Sequence, residues 1–146
     1  MNETHYPFSL LKEHPSGLVK TWMLKFKRDV DIEFNYKDVR LCADLISEEE
    51  TETWNELTPF DEETGSIEEN LEQHIDRAKL TKELADLIWV CYFCAHKFGL
   101  PIDAVFRRVY DSNMSKLADN GEPILREDGK ILKGPNYQPA KLDDLF

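Results

Sequence analysis

The stretch from Arg77 to Phe98 limits what this chain can fold into more than any other. It contains neither glycine nor proline, and Gly99 followed by Pro101 supplies a helix stop. Between Leu87 and Phe93 it is apolar all round, the pattern of a helix enclosed by other helices. The apolar run holds Asp86 and is too short to cross a bilayer. The flanking sequence offers the partners such a helix needs. A first helix is predicted over 17–30, with Leu18, Val19, Trp22, Met23 and Phe26 on one stripe. Asp38 is expected to cap a second helix running to Leu57. Thr58-Pro59 and Gly65 mark an acidic, turn-rich break, after which Ser66 with Glu69 forms a capping box for a short helix to Ile75. Beyond the central helix, Pro101 opens another that runs to Leu117. Residues 1–16 read as an irregular arm, Pro123–Lys133 as a small β-hairpin turning at Asp128-Gly129, and the tail as coil. The expected architecture is all-α: one domain over 1–146, a bundle of four or five helices within 17–117, and a hairpin with coil over 118–146.

Charge narrows the function. Twenty-nine acidic residues against 18 basic ones leave a formal net charge of -11, which argues against a nucleic-acid-binding surface. An acidic protein that handles polyphosphates needs cations, and metal ions are the usual source. The N-terminus lacks a basic stretch followed by an apolar one, so neither a signal peptide nor a membrane association is expected. Three cysteines give no disulfide framework, and a reducing cytoplasm is the expected compartment. Cys91 and Cys94 form a CxxC inside the apolar helical run and read as buried small hydrophobes rather than a metal or redox site.

Two short strings carry chemistry. Glu48-Glu49-Glu50-Thr51-Glu52 on the second helix fits EExxE, and Glu83-Leu84-Ala85-Asp86 on the central helix fits ExxD. Residues three apart share a helical face, so each string offers two carboxylates to one point. Helical phase puts Glu49 and Glu52 within about 60° of Leu45, on the apolar stripe. Glu83 aligns with Leu80, Leu87, Val90 and Cys94, and Asp86 lies beside them. Four inward carboxylates form either a buried salt-bridge cluster or a hard-cation site suited to Mg²⁺, with Mn²⁺ as a substitute. The copy at Glu68-Glu69-Asn70-Leu71-Glu72 also fits EExxE, but Glu69 and Glu72 oppose its stripe of Ile67, Leu71 and Ile75 and read as solvated. A di-iron carboxylate bundle wants Glu-x-x-His on two helices. None of His5, His14, His74 or His96 follows an acidic residue at that spacing.

EExxE followed by ExxD on helices resembles the MazG-like all-α NTP pyrophosphohydrolase superfamily, which includes dimeric dUTPases, dCTP pyrophosphatases and phosphoribosyl-ATP pyrophosphohydrolases. The resemblance covers about residues 18–117. Asp111-Ser112-Asn113-Met114-Ser115-Lys116-Leu117, then Asp128-Gly129-Lys130 and Lys133-Gly134-Pro135-Asn136-Tyr137, looks like small MazG-type proteins of phages and mobile elements. The family pattern implies Glu49, Glu52, Glu83 and Asp86 as magnesium ligands, with Glu48 beside them or orienting the attacking water. It further implies that Lys79 and Lys116 meet phosphate and that Asn113 faces the nucleotide. Two departures stand out: 30 residues separate Glu52 from Glu83, and Lys82 stands where many members carry a second glutamate. The reaction implied is Mg-dependent cleavage of a (deoxy)nucleoside triphosphate to monophosphate and pyrophosphate, with Glu48 or Glu56 taking the proton.

Other residues keep two readings each. Trp22 either stacks on a base or belongs to the core. Arg107 and Arg108 either reach phosphate or form a solvated face. A pocket built from acidic helices in so small a domain implies completion by a second copy, in a homodimer or homotetramer, with Tyr137 and its coil covering the neighbouring site. Two alternatives stay open: a guanosine alarmone hydrolase using the same site, and a non-catalytic acidic helical protein that binds a basic surface.

Overall fold

The computed structural model describes residues 14–58, 60–61, 66–67 and 74–146. Among these residues the protein is all-helical apart from one pair of two-residue strands. The elements are α1 (Pro15–Lys25), α2 (Tyr36–Leu57), β1 (Phe60–Asp61), β2 (Ser66–Ile67), α3 (Arg77–Lys97) and α4 (Ile102–Met114). Contacts divide the chain into two units, Met1–Leu100 and Pro101–Phe146.

In the first unit, α1 opens with Pro15 in its first turn, where a missing N–H costs nothing, and buries Ser16, Val19 and Met23 along one face. It stops at Lys25, short of the expected 30, and Lys27 just beyond adopts a φ of 53°. The segment that follows runs back to the end of α3. Asp31 and Ile32 donate their backbone N–H groups to the carbonyls of His96 and Lys97, at 3.0 and 2.9 Å. Carbonyls that a helix end leaves unpaired are satisfied in this way.

The cap of α2 is Asn35, not Asp38. The Asn35 side chain accepts from the Asp38 N–H at 3.0 Å, because helical dihedrals begin at Tyr36 and the cap is the residue before them. The helix ends at Leu57 as expected, and the residue after the cap in sequence is Pro59. Asp76 caps α3, its Oδ1 accepting from the N–H groups of Ala78 and Lys79 at 2.9 and 3.1 Å. Gly99, with a φ of 61°, closes α3; a Cβ there would come within 3.1 Å of Asp31 Oδ1.

α3 packs on both α1 and α2. Val19, Met23, Cys42 and Phe93 form the buried centre, with Trp22, Leu45, Trp89 and Phe98 packed against it. Each such side chain taken out of water contributes about 1.5–3 kcal/mol. The central-helix expectation fails in one respect. Ile88 is 52 % exposed and Cys91 is exposed too, so one side of the apolar run faces outward in the single chain. Cys91 is therefore not the buried hydrophobe that periodicity suggested.

Ser66 does not cap a helix. Ser66 and Ile67 pair antiparallel with Asp61 and Phe60, so backbone pairing across the turn-rich break takes the place of the predicted helix start. The EExxE copy at Glu68–Glu72 lies outside the described residues, while His74 is helical.

In the second unit α4 is shorter than predicted, ending at Met114. Arg108 ties it to the tail, donating to the Lys141 carbonyl at 3.1 Å and to Asp144 at 2.7 Å. The expected hairpin is reduced to a single antiparallel bridge, Leu125 with Ile131, around the turn at Asp128-Gly129. The turn chemistry is as read, but the flanks are exposed and have no apolar layer to hold a longer ladder. Gly134 fits against the end of α4, where a Cβ would lie 2.5 Å from the Lys116 carbonyl oxygen.

Candidate active site

Burial sets the phase of α2. Cys42 and Thr53 are its buried residues; with Cys42 at zero, Glu49 falls about 20° to one side and Thr53 about 20° to the other. Glu49 thus points at α3. Glu52 falls about 80° away and is exposed. Choosing Leu45, only half-buried, as the centre of the stripe is what made Glu52 look inward. On α3, Glu83 is 5 % exposed and in phase with Val90, and Asp86 is half-buried beside it.

Glu49, Glu83 and Asp86 each bring a carboxylate oxygen within 4.8 Å of the other two. Glu49 Oε2 is buried and without a hydrogen-bond partner among the described residues. Burial pushes the Glu49 carboxyl above its ordinary value, and the nearby charges of Asp86 and then Glu52 add to the shift. Glu52 therefore acts on the cluster through its field although it stands outside the triple.

Lys82 brings a cation to this site. Its Nζ sits 2.8 Å from Asp86 and 3.1 Å from Glu83, and those two contacts raise its pKa, Asp86 first. Lys82 thus sits as an ammonium beside two of the three carboxylates. Glu83 and Asp86 are partly neutralised by it, whereas Glu49 Oε2 keeps a free lone-pair face. Three carboxylates from two helices, one with an orphaned buried oxygen, fit a hard divalent cation that prefers oxygen ligands.

The remaining sequence candidates are distributed as follows. Glu56 is ion-paired with Lys79, and that contact raises the Lys79 pKa. This pair is about two turns from Glu49 on α2 and about one turn before Glu83 on α3. Glu48 is exposed. Asn113 and Lys116 belong to the second unit, where Lys116 Nζ donates to Asn113 Oδ1 at 2.7 Å. Arg107 pairs with Asp111 at 3.3 Å.

Trp22 stacks on Phe26, ring centroids 4.8 Å apart, and meets Trp89 edge-on at 5.7 Å. It is at once a core contact and a wall of a cleft of about 560 Å³. Leu45, Trp89 and Val90 also line that cleft. Leu45 is one turn before Glu49 and Val90 one turn after Asp86, so the cleft opens about 6 Å along the helices from the carboxylates.

Two residues escaped the sequence reading. Lys97 is buried at the end of α3, and Thr53 is buried on α2 with a hydroxyl that lacks a partner among the described residues. Both share the helical phase of the buried carboxylates, which was the signal available. Thr51, Thr58 and Thr81 instead donate to the carbonyl four residues back, each at 2.7 Å. Loss of hydration around the sulfur pushes up the thiols of both Cys94, half-buried, and Cys91, exposed as a residue but partly desolvated at its thiol, the opposite of an activated pair.

The family model for phosphoribosyl-ATP pyrophosphohydrolase matches residues 25–113, more than half of the chain. The chain belongs to that family. It is thereby a MazG-like all-α pyrophosphohydrolase, a hydrolase acting on acid anhydrides. The matched span contains the whole of α2 and α3, and with them the carboxylate triple and every lining residue of the cleft except Trp22. No curated protein matches the chain. Among the described residues no helix is long and apolar enough to cross a membrane.

Proposed function

We propose that the protein is a magnesium-dependent nucleoside triphosphate pyrophosphohydrolase that acts on deoxynucleotides. It cleaves the anhydride between the α- and β-phosphates and leaves a nucleoside monophosphate and pyrophosphate. The orphaned Oε2 of Glu49 facing Glu83 and Asp86 carries this reading, since a buried carboxylate without a partner is costly unless a cation completes it. Glu49, Glu83 and Asp86 would hold the ion, and Glu52 would join them as a fourth ligand from the edge of the cluster. The ion, when bound, neutralises the triphosphate and polarises the α-phosphorus.

The residues divide the remaining work. Glu48 is the better general base, because Glu56 is engaged by Lys79. A water loses its proton to Glu48 and attacks the α-phosphorus, and the bridging oxygen leaves with pyrophosphate. Lys79 and Lys82 sit where they can take up negative charge on the phosphates. Trp22 offers its ring to the base. Asn113 and Lys116 are substrate contacts on the family pattern alone. A homodimer or homotetramer is proposed because Leu84, Ile88 and Cys91, at helical spacing on α3, leave an apolar stripe exposed.

Purified protein incubated with Mg²⁺ and a panel of nucleotides tests the reaction. Pyrophosphate and monophosphate are the expected products, and chelation abolishes them. Orthophosphate as first product would falsify α–β cleavage, and full activity in chelator would remove the metal.

A further inference from the structure

The cleft next to the carboxylates ends in a buried ion pair. Lys97, 5 % exposed, donates from Nζ to Asp38 Oδ1 at 2.8 Å and lies over the Phe93 ring, 5.8 Å from its centroid. The other Asp38 oxygen accepts from Asn35 Nδ2 at 2.9 Å. Lys97, Asp38 and Phe93 all line the cleft with Trp22 and Trp89. A lysine head carries three donors and no acceptor, and burial makes unmet donors costly. Asp38 meets one of the three. What the pair offers the cleft is therefore donor character between aromatic walls.

The rest of the cleft suits a flat ligand that presents hydrogen-bond acceptors. Its volume of about 560 Å³ is that of a small-molecule site. Lys27, Arg28 and Lys37 border it with one further carboxylate, Asp29, so its edge is net basic in a chain of net charge -11.

We propose that this cleft holds the nucleobase of the substrate and that Lys97, oriented by Asp38, is the residue that selects it. The inference rests on the nucleotide hydrolase reading above. A lysine head pairs with the adjacent O6 and N7 acceptors of guanine. Adenine and cytosine present an amino group at the matching position, which would set donor against donor. Guanine nucleotides are thus favoured, with uracil and thymine, which present one carbonyl there, in between.

Binding of non-hydrolysable α,β-methylene analogues of dGTP, dATP, dCTP and dUTP to the full chain with Mg²⁺ tests this, followed by calorimetry or tryptophan fluorescence. Wild type should bind the guanine analogue about tenfold or more tighter than the adenine analogue. Lys97→Met should weaken guanine by that factor and leave adenine within about twofold, erasing the preference. Should Lys97→Met alone fail to fold, Asp38→Asn with Lys97→Met removes both charges together and carries the same comparison. Adenine or cytosine bound as tightly as guanine by wild type overturns the proposal, as does no binding of any analogue, or a guanine preference that survives in a folded variant. Pyrophosphate release without base preference leaves the hydrolase standing and removes Lys97 as selector. Guanine preference without hydrolysis of dGTP does the reverse.

Discussion

Glu49 is pulled in two directions by its position. Its helical phase buries it against α3, and burial together with Asp86 and Glu52 raises its pKa. A carboxyl whose pKa is higher folded than unfolded binds more protons in the native state, so its contribution to stability is complete below its ordinary value of 4.5 and is lost as pH rises through the raised value. Glu49→Gln removes this titration. Without metal, the melting temperature of wild type minus that of the variant should fall as pH rises above 4.5. With Mg²⁺ the order reverses, since a metal at a hundred times its Kd contributes about 2.7 kcal/mol to the folded state and an amide is a poor ligand. The variant should lose most of that increment and nearly all turnover. Paired melts across pH, with chelator and with Mg²⁺, check this; a flat difference curve, or an undiminished metal shift in the variant, means the triple is structural. Lys82 bears on the same balance: its ammonium stands 3.1 Å from Glu83 and 2.8 Å from Asp86 and offsets part of their charge.

At the scale of elements, the site depends on the register of two helices. α2 and α3 each start at a side-chain cap, Asn35 and Asp76, and end where proline or glycine stops them. Asp76 satisfies two of the N–H groups that open α3, three residues before Lys79 and seven before Glu83. Asp76→Ala should cost about 1 kcal/mol, or about 3 °C in melting temperature, and Asp76→Asn should recover most of it. Denaturant titration gives the free energy. An unchanged midpoint in Asp76→Ala would show that packing alone holds the start of α3. The loop from Phe26 to Asn35 has a matching role at the other end of α3, where its backbone N–H groups occupy the last carbonyls and leave Lys97 to Asp38.

For the whole molecule, the question is what covers α3. Ile88 is 52 % exposed in the middle of a run that is apolar on every side, and Leu84 and Cys91 extend the bare stripe. Burying such a stripe against a second copy is worth about 25 cal/mol for each Å² removed from water. Light scattering behind size exclusion should find a dimer or tetramer for wild type and a smaller species for Ile88→Glu, since a charge in an apolar interface is not tolerated. A wild type that runs as a monomer ends the oligomer proposal. The sequence by itself determined the helical class, the end of α2, the start of α3 and the neighbourhood of Glu49, Glu83 and Asp86, because apolar periodicity, caps and stop residues are local signals. It did not determine that Glu52 stands at the exposed edge of the cluster, that Asn35 rather than Asp38 caps α2, that Ser66 enters a strand pair, or that the hairpin shrinks to one bridge. Those outcomes depend on which neighbours each face meets. A helix of given sequence can rotate by tens of degrees and keep most of its apolar burial, and only the packing of α2 against α3 chose the rotation that brings three carboxylates together and sends Lys97 to Asp38.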